Sequence, residues 1–303
     1  MQIQIQSLTK SFGAKQVLRG ISFQAESGQA LGVLGRNGAG KTTTIRIVMN
    51  VFPADSGQVL LDGKPINRNR VNIGYLPEER GLYPKKLIKD QLVYFGMLKG
   101  LGKSAARKSA DRWLDRLEMT EHANRRLDTL SKGNQQKIQL AATLLCDPDI
   151  VILDEPFSGL DPVNAQLLAN VVREQIQSGK IVLFSSHQMG YIEEFCDNIA
   201  ILNGGNIVLS GELSRIKRGY DRTRIDLTSQ SAPRILPFAQ AQPYVKSVDL
   251  KEDNTGLIIK LSNADNKIEL YKALATQGFD IDSIAVHEPT LNDIFVEYTE
   301  AGI

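Results

Sequence analysis

The chain has 303 residues, a formal net charge of +2 and two cysteines. That length allows one large domain or two unequal ones, and the near-neutral balance supplies no global field for nucleic acid. Cys146 and Cys196 lack C-x-x-C spacing and read as thiols of a reducing cytoplasm, and no apolar run reaches the roughly 20 residues needed to span a bilayer, so any membrane role is expected to come through a partner.

Ile3 and Ile5 alternate with glutamines, the period-two pattern of a half-buried strand and no signal peptide. Ser11, Phe12 and Gly13 read as a turn, after which 17–25 resumes as strand. Phe12 lies shortly before the Gly-rich loop, and is either a platform for a base or an ordinary core aromatic. Residues 29–34 form a short buried strand. The next stretch is Gly35, Arg36, Asn37, Gly38, Ala39, Gly40, Lys41 and Thr42, followed by Thr43. It fits G-x-x-x-x-G-K-[ST], and a helix over 42–49 follows. Wrapping a triphosphate needs backbone N–H groups at close range, which the glycines permit, with Lys41 reaching the β- and γ-phosphates and the Thr42 hydroxyl placed for Mg²⁺. Asp62-Gly63 then closes a hairpin after the strand 58–61.

Residues 71–76 read as an apolar strand ending at Pro77, Glu78, Glu79, Arg80 and Gly81. Helical periodicity follows over 91–98, with Asp90 as its expected cap, and again from Ser104 with Ala110, Trp113, Leu114 and Leu117 on one face. This insert, from about 84 to about 128, interrupts an α/β pattern and reads as a subdomain. Leu130, Ser131, Lys132, Gly133, Asn134 and Gln135 precede a helix stopped at Asp147-Pro148, with Ser131 as its cap. The apolar run 150–153 ends in Asp154 and Glu155, two carboxylates where a buried strand meets solvent. There Asp154 suits Mg²⁺ through water and Glu155 suits a general base. Asp161-Pro162 caps the next helix, Gly179 ends it, and the strand 180–185 leads to Ser186-His187. His187 thus joins a series of strand-to-loop junctions that each carry a polar candidate.

Together these motifs, in this order and spacing over about residues 1–218, resemble the ATP-binding cassette (ABC) ATPases. The resemblance implies an α/β fold: a phosphate-loop ATPase core with a parallel sheet plus an antiparallel β part, and a helical subdomain at about 84–146. It implies two copies packed head to tail, with ATP between the phosphate loop of one and Ser131 and Gly133 of the other. Glu155 would be the base, His187 the positioner of water and γ-phosphate, Asp161 a cross-interface contact and Phe12 the adenine platform. Two departures stand out. Glu78 occupies a position where the family usually has Gln, and is expected to serve as a metal ligand and as the joint to a transporter partner. Lys132 stands where Gly is commoner, either adding charge near the γ-phosphate or facing solvent.

Beyond the hairpin 199–209 and a short helix over 212–218, residues 219–303 read as a smaller α+β domain. Its strands are expected at 224–228, 244–250, 255–261 and 281–286, a helix at 268–275, and a last helix begun by Thr290 and Asp293, with His287 a loop residue. This stretch resembles the C-terminal domain of drug, sodium and polysaccharide exporter ATPases, and the run 74–84 resembles the same subgroup. The implied function is a cytoplasmic, membrane-peripheral ATPase subunit that uses ATP and Mg²⁺ to drive a separate integral-membrane exporter. It would pair with a second ATPase subunit and bind no nucleic acid. The competing class is a soluble cassette ATPase of translation, repair or cluster assembly. The absence of a second cassette, a coiled-coil insertion or a basic tract argues against it.

Overall fold

The computed structural model describes residues 1–79, 81–220, 222–251 and 253–300. Arg80 of the 74–84 run and residues 301–303 of the expected C-terminal domain lie outside the described residues. The chain clusters into two compact units, one of residues 1–213 with residues 295–300 of the last helix, the other Ser214–Ile294.

In the first unit the alternating isoleucines belong to β1 (Gln2–Phe12), which pairs antiparallel with β2 (Lys15–Glu26). Ile3, Ile5 and Leu8 are buried with Leu18 and Ile21, as alternation on a pleated strand requires. The ladder runs on through Phe12 opposite Lys15, so the reversal falls at Gly13 and Ala14 and Phe12 is a strand residue. β3 (Ala30–Gly35) leads through the Gly-rich loop into α1 (Lys41–Val48). β4 (Ser56–Leu61) pairs with β1, and Asp62 (φ 49°) and Gly63 (φ 75°) turn the chain into β5 (Lys64–Pro65). Positive φ at both turn residues is what the right-handed strand twist selects. The resulting antiparallel sheet has the order β2-β1-β4-β5.

β6 (Ile73–Leu76) is followed by the helical insert, with α2 (Ile88–Leu98), α3 (Lys103–Arg116) and α4 (Lys132–Leu144). Asp90 is not the cap of α2. The helix starts three residues earlier than expected, at Ile88 after Leu87, and Asp90 lies in its first turn, where a carboxylate favours the helix dipole. Ala106, Ala110, Trp113 and Leu114 are the buried stripe of α3. The chain continues through β7 (Ile150–Asp154), α5 (Pro162–Gln177), β8 (Ile181–Ser185), α6 (Met189–Phe195), β9 (Asn198–Asn203), β10 (Asn206–Glu212) and α7 (Leu213–Arg218).

The second sheet has the order β10-β9-β3-β8-β7-β6. Five neighbours, β9, β3, β8, β7 and β6, run parallel, and β10 is antiparallel at one edge. Every residue of β7 and β8 is buried, which explains their unbroken apolar runs. Side chains such as Ile150, Ile152 and Ile181, all at 0% exposure, each contribute about 1.5–3 kcal/mol by burial. Because these strands are parallel, the loops that follow β3, β6, β7 and β8 all emerge at one edge.

The second unit holds β11 (Arg224–Thr228), α8 (Ala232–Gln240), β12 (Val245–Leu250), β13 (Gly256–Leu261), α9 (Lys267–Thr276) and β14 (Ser283–Val286). Its antiparallel sheet has the order β12-β13-β11-β14, over a core that includes Ile225, Leu227, Leu257, Ile259 and Leu270. Helix α8, absent from the expected elements, carries Pro237 in its interior and yet buries Ala232, Ile235 and Ala239. Packing of that face outweighs the lost backbone bond. The final helix, α10 (Leu291–Glu300), begins as expected: Asp293 N donates to Thr290 Oγ1 at 3.2 Å and Thr290 N donates to Asp293 Oδ2 at 2.9 Å.

Candidate active site

The Gly-rich loop is shaped by exclusion. A Cβ on Gly40 (φ 114°) would stand 2.6 Å from Leu18 Cδ2, and one on Gly35 would stand 2.7 Å from Leu202 O. The loop backbone therefore presses against β2 and β9, with no room for a Cβ at Gly35 or Gly40. Arg36, Asn37 and Gly38 are exposed, Ala39 and Gly40 are buried, and Thr42 and Thr43 are half-buried in the first turn of α1. Thr44 Oγ1 donates to Gly40 O at 2.9 Å. Lys41 Nζ folds over the loop and donates to Gly35 O at 2.5 Å.

Burial holds the Lys41 ammonium below its ordinary pKa, and Glu155, Asp154 and Glu78 partly offset this through their negative charge. These carboxylates arrive from two different strand ends, Glu78 after β6 and Asp154 with Glu155 at the end of β7. Asp154 is 3% exposed, and its carboxyl is raised above the usual carboxylate range by burial first, with Glu78 and Glu155 adding to it. Tyr75 lies with its hydroxyl 3.5 Å from Asp154 Oδ2, and burial, then that carboxylate, push the phenol up to about 12.

Glu155 is the most tightly held member. Its backbone has φ 49°, a left-handed conformation that costs a non-glycine residue about 1–2 kcal/mol, and its N–H donates to Ser185 O at 2.8 Å. The side chain is clamped from the end of β8. His187 N donates to Oε1 at 2.8 Å, His187 Nδ1 lies 2.8 Å from the same oxygen, and Ser186 Oγ donates to Oε2 at 3.0 Å. The imidazole itself is 70% exposed, so its far edge faces open space. Ser186 was not singled out from the sequence. Its signal was a hydroxyl at the strand end beside His187, legible only once β7 and β8 are known to be neighbours.

Ser131, Gly133 and Asp161 form a second group, around the starts of α4 and α5. Ser131 Oγ accepts from Asn134 N at 3.3 Å. Asp161 caps α5 by accepting from Val163 N at 3.1 Å and Asn164 N at 3.0 Å, and the bonds from Asn164 lower its pKa. Gly133 is buried against Asn164, whose Nδ2 would stand 3.3 Å from a Cβ there, so the two helix starts abut. Lys132 is exposed. Phe12 is half-exposed, not a core residue. The Phe52 ring meets it edge-on at 5.5 Å, and Lys10 Nζ, paired with Asp55, lies 5.6 Å from its centroid.

Among the described residues no group of three or more His, Cys, Asp or Glu side chains could hold a metal by itself. That does not conflict with Mg²⁺, which takes one or two carboxylates together with phosphate oxygens and water. The buried Asp154 carboxylate beside Glu78 and Glu155 is an excess of negative charge that suits a hard cation, and Thr42, Glu78 and Asp154 offer only oxygen donors. Elsewhere, Cys196 is buried, and burial raises the pKa of both free thiols. His287 N donates to Arg224 O at 2.8 Å, a structural bond at the edge of the second unit's sheet.

Residues 18–158 match the family described as ABC transporter, and residues 211–299 match the family described as ATP-binding protein DrrA1-3-like, C-terminal domain. The chain is 42% identical to the uncharacterized ABC transporter ATP-binding protein YhaQ of Bacillus subtilis, covering 97% of each chain. It is 30% identical to the linearmycin resistance ATP-binding protein LnrL of the same organism, covering 98% of each. Among solved structures, an ATP binding subunit of an ABC transporter superposes with a TM-score of 0.66 at 27% identity, over 72% of this chain and 92% of the other. Among the described residues no helix is long and apolar enough to cross a membrane.

Proposed function

We propose, for a chain that belongs to the ATP-binding proteins of ABC transporters, that it binds and hydrolyses ATP to drive a separate integral-membrane exporter. The observation that carries this is the meeting at one sheet edge of Lys41 with Glu78, Asp154 and the clamped Glu155. Lys41 at the anion-binding loop offers positive charge to phosphate, and the surplus of negative charge on the three carboxylates whose field it feels suits a divalent counter-ion.

In this reading the phosphates lie along the backbone of Gly35, Arg36, Asn37, Gly38, Ala39, Gly40, Lys41, Thr42 and Thr43, and Lys41 leaves Gly35 O for phosphate oxygens. Thr42, Asp154 and Glu78 hold Mg²⁺, which when bound neutralises charge on the phosphates. Glu155 accepts the proton of the attacking water as the bond to the γ-phosphorus forms and ADP leaves. Ser186 and the His187 backbone keep the carboxylate aimed, while the exposed edge of the His187 imidazole faces the space assigned to the γ-phosphate. Phe12 stacks on the adenine. Ser131, Gly133 and Asp161 complete the site of a second ATPase subunit packed head to tail, at the inner face of the cell membrane. Tyr83, Tyr94, Met97 and Leu98, each 46–63% exposed on or beside α2, offer an apolar surface for the membrane subunit. The name of the linearmycin resistance relative favours drug cargo, with sodium as the alternative.

Glu155→Gln tests the chemistry. The reading expects ATP turnover to fall by about 10²–10⁴-fold, the scale of a lost general base, with ATP affinity retained and an ATP-dependent dimer accumulating. Turnover within a few-fold of the parent would remove Glu155 from the reaction.

A further inference from the structure

Gln139 sits two turns into α4 and is 4% exposed. Its amide nitrogen donates twice, to Pro77 O at 3.0 Å and to Glu79 O at 3.2 Å. The two hydrogens of one amide thus hold the backbone on both sides of Glu78, whose own side chain is exposed. One turn further, Thr143 Oγ1 donates to Gln139 O at 2.9 Å and lies 3.3 Å from Tyr75 O. A Cβ on Gly74 would meet Thr143 O at 2.7 Å, so β6 and α4 lie in backbone contact with no slack between them. The same helix begins at the cap Ser131, with Gly133 in its first turn.

We infer that Gln139 is a positioning residue, clamping the backbone around Glu78 to the helix whose start carries Ser131 and Gly133. Engagement of a nucleotide at that helix start is then passed to Glu78 of the same subunit through a rigid element. The inference rests on the nucleotide reading above and deepens it: one subunit's contact with its partner's ATP sets where its own Glu78 stands. Without the amide, two carbonyls lose their donors and the segment is released, while the apolar packing of α4 through Ile138, Ala141 and Leu144 stays intact.

The test uses Gln139→Met, which keeps the length and loses the donors, and Gln139→Glu, which keeps the shape and turns an oxygen toward the carbonyls. A Glu-specific protease is applied to the nucleotide-free full chain, with cleavage sites mapped by mass spectrometry. Cleavage after Glu78 or Glu79 is expected to rise about tenfold in both variants, the factor that corresponds to one or two net hydrogen bonds, with other sites unchanged. Binding of a fluorescent ATP analogue in the Glu155→Gln background is then measured with and without Mg²⁺. Gln139→Met is expected to cut the gain from Mg²⁺ about three- to tenfold, and to have no further effect once Glu78→Gln is present. Uniformly faster cleavage at all sites, unchanged cleavage at Glu78 and Glu79, or an undiminished effect of Gln139→Met in the Glu78→Gln background would each overturn the clamp. Failure of the parent to bind the analogue would sink the functional reading, while the nucleotide-free cleavage still judges the clamp separately.

Discussion

Ser186→Ala isolates one hydrogen bond to the group proposed as the base. Ser186 Oγ is the donor to Glu155 Oε2, at 3.0 Å, while both contacts from His187 fall on Oε1. Removing the hydroxyl leaves one carboxylate oxygen without that donor in a site where Ser186 is 3% and Glu155 8% exposed. A hydrogen bond to a charged group contributes about 1.5–3 kcal/mol. Taking the lower figure, loss of aim at Glu155 lowers kcat about tenfold. The hydroxyl also accepts from Gln188 N at 3.0 Å, so a further loss of ~1 kcal/mol in folding stability is expected, about 2–4 °C in melting temperature. Steady-state ATPase rates against ATP concentration, with a thermal melt of the same preparation, separate the two. The expected result is kcat down about tenfold with KM within about twofold, because the hydroxyl is not proposed to touch nucleotide. A kcat within about twofold of the parent, or a loss confined to KM, would refute the reasoning.

Three further outcomes follow from the same geometry. The native pKa of Asp154 is raised, so its ionised form opposes folding above that pKa and the penalty vanishes below the ordinary carboxylate value. Asp154→Asn is therefore expected to raise the melting temperature of the nucleotide-free protein near neutral pH, the gain shrinking as pH falls toward 4, while hydrolysis is lost. A gain that grows on acidification would contradict the assigned sign. Phe12→Ala should weaken ATP binding about five- to 150-fold, the range of a lost base stack of about 1–3 kcal/mol, with kcat retained at saturation; an unchanged KM would remove Phe12 from the base site. Gly57 has φ 83°, and a Cβ there would lie 2.4 Å from both Gln6 O and Ser7 O. Gly57→Ala is expected to cost at least about 3 kcal/mol in denaturant unfolding, and a cost under about 1 kcal/mol would show that the β1–β4 ladder gives way there.

The parts of the fold that the sequence declares are those where one residue type has one local use. The Gly-rich loop, the cap pairs Ser131 with Asn134 and Asp161 with Asn164, and the Thr290–Asp293 box all lie within a few residues of chain, and the structure has them as expected. What was illegible depends on partners brought together by topology. Ser186 matters because β8 lies beside β7 in register, Asp154 opposite Ser185. Gln139 matters because α4 lies against the end of β6, 60 and 62 residues away in the chain. The left-handed backbone of Glu155 has no local signal, since the residue is neither Gly nor Asn. Helix α8 carries an interior Pro237, which by local rules marks a helix break, and the buried stripe of α2 begins at Ile88, ahead of Asp90, where an apolar residue carries no start signal.

The central claim is that this ATPase works on a membrane subunit. The direct measurement is a tagged Glu155→Gln chain, held in its ATP-bound form, captured from detergent-solubilised native membranes and analysed by mass spectrometry. A stoichiometric multi-span membrane protein co-purifying with the chain is the predicted result. Recovery with ribosomes, nucleic-acid proteins or assembly scaffolds, and with no membrane protein, would contradict the account.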